Sequence, residues 1–375
     1  MEVTLLVTHD PPTAEQPPLT RLLAEARQRL AGDQERRFRT AGVARVLRRP
    51  GRTTSVGAPA VTFGEFLAGV TTSERPAGLI VMGSGAVPRL TQGDAQRLVA
   101  TAASEGRRAL TNNRYSSDVI AVARAASLRD LPALPSDNAL PRWLEEHAGY
   151  LVHDLPGRER LALDLDSPMD IDLWALARGA PAWARELSRR HNLSVPRSVE
   201  LRALASDPRR ELLVFGRAGS QTLRWLERNV RCRVRFLAEE RGLRASSPLA
   251  IGRSAHHGPA RADDGAPGNG ALRPPRATLG RLIESRGPGA LAATIADLAD
   301  GAIVDTRVLM ADRFGGDEAG WPTPEDRYAS DLLRADRIDD PWLRALTQSA
   351  ASASIPIALG AHTLIGPGIP LLLAR

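Results

Sequence analysis

The chain has 375 residues, 43% hydrophobic and 25% charged, which is typical of one or two folded domains and excludes a disordered chain. All 50 basic residues are arginine and the only cysteine is Cys232, so a Schiff-base lysine, a Walker-type loop, an internal disulfide and a multi-cysteine metal site are excluded. The net charge is +7, but 43 acidic residues are mixed with the arginines and only 4% are aromatic, which favours phosphorylated small molecules over nucleic acid as partners.

The first half of the chain alternates strands with helices. Apolar runs predict strands, and apolar residues at helical spacing predict helices. In chain order these are strand 3–7, helix 19–30, strand 41–47, strand 78–82, helix 91–105 and helix 116–126. Such alternation is typical of a mostly parallel sheet with helices on both faces, which binds ligands at the carboxyl ends of its strands.

The same alternation begins again near residue 211. It predicts strand 212–215, helix 220–229, strand 230–236, helices 278–285 and 291–299, and strands 302–304 and 355–360. Residues 252–276 have no apolar period and are predicted to be a flexible loop. The sequence therefore predicts a Rossmann-like α/β fold of two units, 1–200 and 201–375.

An Asp-rich segment at residues 163–172 is the most specific motif. Alternation predicts a short strand that places Asp164 and Asp166 on one face, and Asp170 falls in the first turn of the next helix. Clustered carboxylates at a strand end suit Mg²⁺ that also holds a phosphate. The alternative is that Ser167 caps the helix and the aspartates are solvated.

A polar segment at residues 110–118 offers many hydrogen-bonding groups. It contains Asn112, Asn113, Arg114 and Ser116 at a predicted strand-to-helix junction, and Asn138 adds a further amide. A helix N-terminus with such neighbours could seat a phosphate or a sugar. An Asx turn with an N-cap explains the same residues without a ligand.

In the second half, a short glycine turn at 216–219 lies between a predicted strand and a predicted helix. Its backbone amides could face an anion that Arg217 clamps, although a purely structural turn fits as well.

The chain shows neither a signal peptide nor a membrane span, so a cytoplasmic protein with no membrane partner is expected. The sequence does not determine the oligomeric state, and a homo-oligomer is one alternative.

The Asp-x-Asp-Ser-Pro-x-Asp stretch at 164–170 resembles the closing motif of the small GT-A-like nucleotidyltransferases, the group of the molybdenum-cofactor and 2-phospholactate transferases. The strand 79–82 with Pro88 and Asp94 is similar to the central strand of that family. The resemblance covers roughly residues 1–175 and implies that Asp164 and Asp166 contact the metal.

The chain departs from this family at two places. The family's first strand is followed by a glycine-rich loop with arginine and lysine, whereas residues 8–12 here read Thr-His-Asp-Pro-Pro. Residues 83–88 lack the aspartate that binds the family's metal after the central strand. These departures favour a second hypothesis, a non-catalytic ligand-binding or assembly protein that keeps the fold.

The resemblance and the motifs together predict a nucleotidyltransferase-like enzyme that acts on a nucleotide or phosphorylated small molecule with Mg²⁺. Asp164 and Asp166 would be catalytic and hold the metal. The substrate would be bound by polar and basic side chains, namely Asn112, Asn113, Arg114, Ser116, Asn138 and Arg217. Besides the non-catalytic hypothesis, a glycosyltransferase that uses a nucleotide-sugar is a further alternative.

Overall fold

The computed structural model describes residues 1–51, 61–134, 136–239 and 276–374. The chain forms two compact units, Met1–Asp166 and Ser167–Arg375. The sequence predicts the boundary between the units at residue 200 instead. The loop predicted over 252–276 lies, up to residue 275, outside the described residues. The architecture is α/β, as the alternation of strands and helices predicted.

The first unit contains a six-stranded sheet in the order β2-β1-β3-β5-β4-β6. Its strands are β1 Val3–Thr8, β2 Arg45–Arg49, β3 Gly78–Gly83, β4 Arg108–Thr111, β5 Val119–Val122 and β6 Leu151–Asp154. β5 is antiparallel to both of its neighbours, and the other pairs are parallel. The parallel strands therefore all end at one edge of the sheet, here called the carboxyl edge.

Helices cover both faces of this sheet. They are α1 Pro18–Thr40, α2 Phe63–Glu74, α3 Gln92–Ala102, α4 Leu140–Glu146 and α5 Arg158–Leu161, with 3-10 turns at Ala125–Asp130 and Asp137–Ala139. Alternate strand residues point to opposite faces. Leu5 and Ile80 accordingly pack with Phe38 in one core, while Leu6 and Leu79 pack with Leu67 in the other.

The helix predicted over 116–126 is wrong, because Val119–Val122 form strand β5 between β3 and β4. Four consecutive buried residues, three of them β-branched, suit a central strand, and a run this short does not distinguish strand from helix by periodicity. The polar segment is consequently a turn between two strands. The short strand predicted within the Asp-rich segment is also absent, since residues 162–166 are not in a strand.

The second unit contains a four-stranded, fully parallel sheet in the order β10-β9-β7-β8. Its strands are β7 Glu211–Gly216, β8 Arg233–Ala238, β9 Gly301–Asp305 and β10 Ile357–Gly360. All four lie where the sequence predicted strands, to within a few residues. β7 and β9 are buried at almost every position, as expected of central parallel strands.

Helices surround the second sheet. They are α6 Pro168–Ala175, α7 Ala182–His191, α8 Ser198–Ala205, α9 Ser220–Asn229, α10 Thr278–Glu284, α11 Leu291–Ala296, α12 Thr306–Phe314, α13 Pro324–Asp331, α14 Pro341–Ala351, α15 His362–Ile365 and α16 Gly368–Leu373. Short 3-10 turns occur at Pro288–Ala290, Glu318–Gly320 and Ala335–Arg337. Within the described ranges, no helix has the length and apolar character needed to cross a membrane.

Candidate functional site

The carboxyl edge of the first sheet gathers polar side chains from several strands. His9 follows β1, Ser84 follows β3, Asn112 follows β4, and Asp118 precedes the antiparallel β5 at the same edge. The Asp-rich segment runs past this edge, since the Leu165 amide donates to the Gly85 carbonyl at 3.0 Å. Ligands of open α/β sheets bind at this edge, which makes it the candidate site of the first unit.

Asn112 organises the turn between β4 and β5. Its Nδ2 donates to Asp118 Oδ2 at 2.6 Å and to the Leu161 carbonyl at 3.2 Å. Its Oδ1 accepts from the backbone amides of Asp118 and Val119 at 2.9 and 3.2 Å. The amide group of Asn112 is thus used within the protein, where it ties the turn to the chain leading into the Asp-rich segment.

The other polar residues predicted to bind substrate also make internal contacts. Asn113 Oδ1 accepts from the Tyr115 amide at 3.1 Å, which is an Asx turn, the ligand-free alternative for this segment. Asn138 Oδ1 accepts from the Ser117 amide at 2.8 Å and so brings residue 138 to the polar segment. Ser116 is exposed.

The two arginines predicted to bind phosphate are paired with carboxylates. Arg114 lies 3.1 Å from Glu145 and 3.5 Å from Asp154, and its Nη2 donates to the Val152 carbonyl at 2.9 Å. Arg217 belongs to the second unit, where its Nε and Nη2 donate to the two oxygens of Asp305 at 2.6 and 3.1 Å. The guanidinium of Arg217 is thus engaged by Asp305 within the second unit.

Burial alternates along the Asp-rich segment even though it is not a strand. Leu163 and Leu165 are fully buried, whereas Asp164 and Asp166 are partly exposed. The strand face that the two aspartates were predicted to share is absent, and the alternation of burial is what the structure retains of the pattern.

Arg27 of α1 fixes the position of Asp166. It donates through Nε to the Leu165 carbonyl at 2.7 Å and through Nη2 to Asp166 Oδ1 at 3.3 Å. The Asp166 side chain is 42% exposed, so it keeps contact with solvent.

The start of α6 shows that capping explains part of the Asp-rich motif. Ser167 Oγ accepts from the Met169 amide at 3.2 Å, and the Ser167 amide donates to Asp170 Oδ2 at 2.7 Å. This is a capping box, which satisfies two donors of the helix N-terminus reciprocally. Ser167 and Asp170 are therefore structural at this position, whereas Asp164 and Asp166 are not required by the cap.

The environment of Asp118 changes the pKa of its carboxyl group strongly. Burial raises the pKa of Asp118 to about 7; the charges of Asp137 and Asp166 add to the increase, and the hydrogen bond from Asn112 opposes it. A buried carboxyl group poised near neutral pH at the edge of an α/β sheet is a candidate functional group. Asp118 lay within the polar segment but was assigned to a helix, and its burial has no signal in the sequence.

No three His, Cys, Asp or Glu side chains among residues 1–51, 61–134, 136–239 and 276–374 are placed so that they could hold a metal ion together. The oxygen donors at the carboxyl edge come instead as separate carboxylates, chiefly Asp166 and Asp118. Mg²⁺ is commonly bound by one or two protein carboxylates and completes its coordination with phosphate oxygens and water. These carboxylates alone would therefore leave most of the coordination of Mg²⁺ to water or to the oxygens of a ligand.

Replacing Asp118 with asparagine is expected to stabilise the protein above pH 7. With the raised pKa, the folded protein retains a proton that the unfolded chain loses near 3.8, so stability falls as the pH rises between 3.8 and about 7. Asp118→Asn removes this loss and should add about 1–2 kcal/mol at pH 8, or roughly 2–8 °C in Tm, since the side chain keeps some contact with solvent. Thermal unfolding measured from pH 4 to pH 8 tests this.

The matched control is Asp130→Asn, which alters an exposed aspartate of the same unit and should leave the pH profile unchanged. The gain from Asp118→Asn should vanish near pH 4, where the wild-type side chain is also neutral. A variant that is less stable than the wild type at pH 8 would show instead that the fold requires the Asp118 carboxylate.

Comparisons with known proteins do not assign a function to the chain, so the geometry of the site is the basis for one. The chain matches no protein-family model, no curated protein and no solved structure.

Proposed function

We propose that the first unit is a nucleotidyltransferase-like domain that binds a nucleotide or another phosphorylated small molecule with Mg²⁺ at the carboxyl edge of its sheet. One observation carries this proposal: Asp118 and Asp166, 48 residues apart in the sequence, lie near enough to each other at this edge for the charge of Asp166 to add to the raised pKa of Asp118, after burial and Asp137. Bringing like charges together is unfavourable unless a cation or a proton compensates them.

Asp166 and Asp164 would hold the magnesium ion, with Asp118 beside them. Bound Mg²⁺ would supply charge neutralisation for the phosphate oxygens. Arg27 would act as a positioning residue, because its bonds to Asp166 and to the Leu165 carbonyl hold this carboxylate at the carboxyl edge. Asn112 would position Asp118 in the same way, through its hydrogen bond to Asp118 Oδ2.

Asn113, Asn138, Arg114 and Ser116 would line the substrate side of the site. Their internal contacts limit what they can offer to a ligand, and this observation favours the second candidate function. That candidate is a non-catalytic protein that binds a ligand or assembles with a partner on the same fold. A glycosyltransferase that uses a nucleotide-sugar is the third candidate, and it differs from the first in the ligand that it prefers.

A thermal-shift panel of nucleoside triphosphates and nucleotide-sugars, each with and without Mg²⁺, tests the proposal. A ligand at a hundredfold excess over its Kd should stabilise the protein by about 2.7 kcal/mol. We expect a shift that requires Mg²⁺ and that Asp166→Asn removes, with the affinity reduced about tenfold or more. Asp130→Asn is the control, since it removes an exposed carboxylate away from the edge.

The outcomes separate the three candidates. A shift that depends on Mg²⁺ with a free triphosphate supports a nucleotidyltransferase, and the same shift with a nucleotide-sugar alone supports a glycosyltransferase. A ligand that binds equally with and without Mg²⁺, and equally to Asp166→Asn, would contradict the metal assignment and leave the non-catalytic candidate.

A further inference from the structure

His9 is a buried polar side chain at the carboxyl edge that the proposed metal site does not use. It directly follows β1, and its backbone amide donates to the Arg49 carbonyl at 2.9 Å, which fixes the residue beside the end of β2. The side chain is 7% exposed, yet neither Nδ1 nor Nε2 has a hydrogen-bond partner in the described part of the chain. Buried polar groups normally have a partner, so this imidazole fits a ligand that supplies one.

Charged groups of β2, of α1 and of the chain directly after β1 act on the His9 ring. Burial lowers the pKa of His9, Arg48 of β2 and Arg27 of α1 lower it further, and Asp10 and Glu35 act in the opposite direction. The ring is therefore neutral at pH 7, with one nitrogen that donates and one that accepts a hydrogen bond.

The two arginines retain donors for a ligand. Arg48 bonds to Glu35 through Nε at 2.5 Å, and Arg27 bonds through Nε and Nη2. The Nη1 and Nη2 groups of Arg48 and the Nη1 group of Arg27 have no partner within the ranges that the structure describes. Guanidinium N–H groups beside an imidazole are suited to phosphate oxygens.

We propose that His9, Arg27 and Arg48 bind a phosphate group of the ligand of the first unit, and that the His9 ring takes up a proton when this group binds. The proposal rests on the proposed function, because it assigns the phosphate end of the same ligand. The proton comes from solvent and adds to the unprotonated ring nitrogen, since a phosphate beside the ring favours the imidazolium form. Affinity should accordingly rise as the pH falls.

Isothermal titration calorimetry with inorganic pyrophosphate tests this without Mg²⁺, so that the metal site does not contribute. Titrations at pH 6, 7 and 8, each in two buffers of different ionisation enthalpy, give both the affinity and the number of protons taken up. For one proton the affinity changes by at most about tenfold per pH unit, and we expect a trend of this sign. His9→Gln should abolish the proton uptake and flatten the pH dependence.

His147→Gln is the matched control, since His147 is an exposed histidine of the same unit. If His9→Gln does not fold, Arg48→Gln provides a second test, because it should weaken pyrophosphate binding while the wild-type proton uptake is measured independently. Pyrophosphate that binds without proton uptake, and equally to His9→Gln and Arg48→Gln, would overturn the subsite.

The two proposals fail in different ways. A nucleotide that binds with Mg²⁺ and is lost in Asp166→Asn, together with pyrophosphate binding that ignores His9, would leave the proposed function intact and refute only the subsite. A protein that binds neither nucleotide nor pyrophosphate would overturn both.

Discussion

Replacing Arg307 with methionine is expected to reduce the free energy of unfolding of the second unit by about 3–5 kcal/mol. Arg307 lies in the first turn of α12 with its side chain 7% exposed, and its guanidinium pairs through Nη1 and Nη2 with both oxygens of Asp331, which is fully buried. Removing one partner of a buried pair leaves the other charge without compensation. Urea denaturation of the variant and the wild type measures the loss.

The stability that Arg307→Met removes should depend on pH, and the behaviour of Asp331 determines the direction. Burial already raises the pKa of Asp331, and Arg307 opposes that increase. Without Arg307 the folded protein holds the Asp331 proton more tightly than the unfolded chain does, so the variant loses stability as the pH rises. The deficit should therefore be larger at pH 8 than at pH 5.

Arg189→Met is the control, because Arg189 pairs with Glu186 on the surface with its side chain 77% exposed. Surface pairs contribute little, so no measurable change is expected. A double variant, Arg307→Met with Asp331→Leu, should recover most of the stability, since neither charge is then left buried alone. A single variant as stable as the wild type at pH 8 would contradict the role assigned to the pair.

The sequence predicted the fold well where local patterns determine it. The helix at 220–229 has the predicted bounds, and β7, β9 and β10 lie at the predicted runs, because buried parallel strands are continuous apolar stretches. β5 was missed because Val119–Val122 is too short to show a period, and its place in the sheet depends on β3 and β4. A strand that is defined by its neighbours has little signal of its own.

The candidate site was predictable in part for the same reason. The alternation of buried leucines with the partly exposed Asp164 and Asp166 is local, and the structure retains it although no strand forms there. The raised pKa of Asp118 depends on burial and on Asp137 and Asp166, which are distant in sequence, so no local pattern indicates it. His9 is a single histidine after a strand, and its lack of a partner is visible only once the neighbouring elements are in place.

Tertiary context also predicts that replacing glycine with alanine has opposite effects on stability at two positions of α2, Gly64 and Gly69. At Gly64 a Cβ atom would lie 1.9 Å from the Pro132 carbonyl oxygen and 2.6 Å from the Leu134 amide nitrogen, both backbone atoms. Gly64→Ala must therefore displace the chain that packs on α2, and we expect a loss of about 3 kcal/mol. At the exposed Gly69 a Cβ atom would meet nothing within 4 Å.

Gly69→Ala is thus the matched control, and it should stabilise the protein by about 0.5–1 kcal/mol, because alanine has the higher helix propensity. Urea denaturation of the two variants measures both changes under the same conditions. Helix propensity alone predicts a gain at both positions, whereas packing predicts a gain at Gly69 and a loss at Gly64. Equal gains would mean that the chain at 132–134 does not lie against α2, and the core on that face of the first sheet would then have to be built differently.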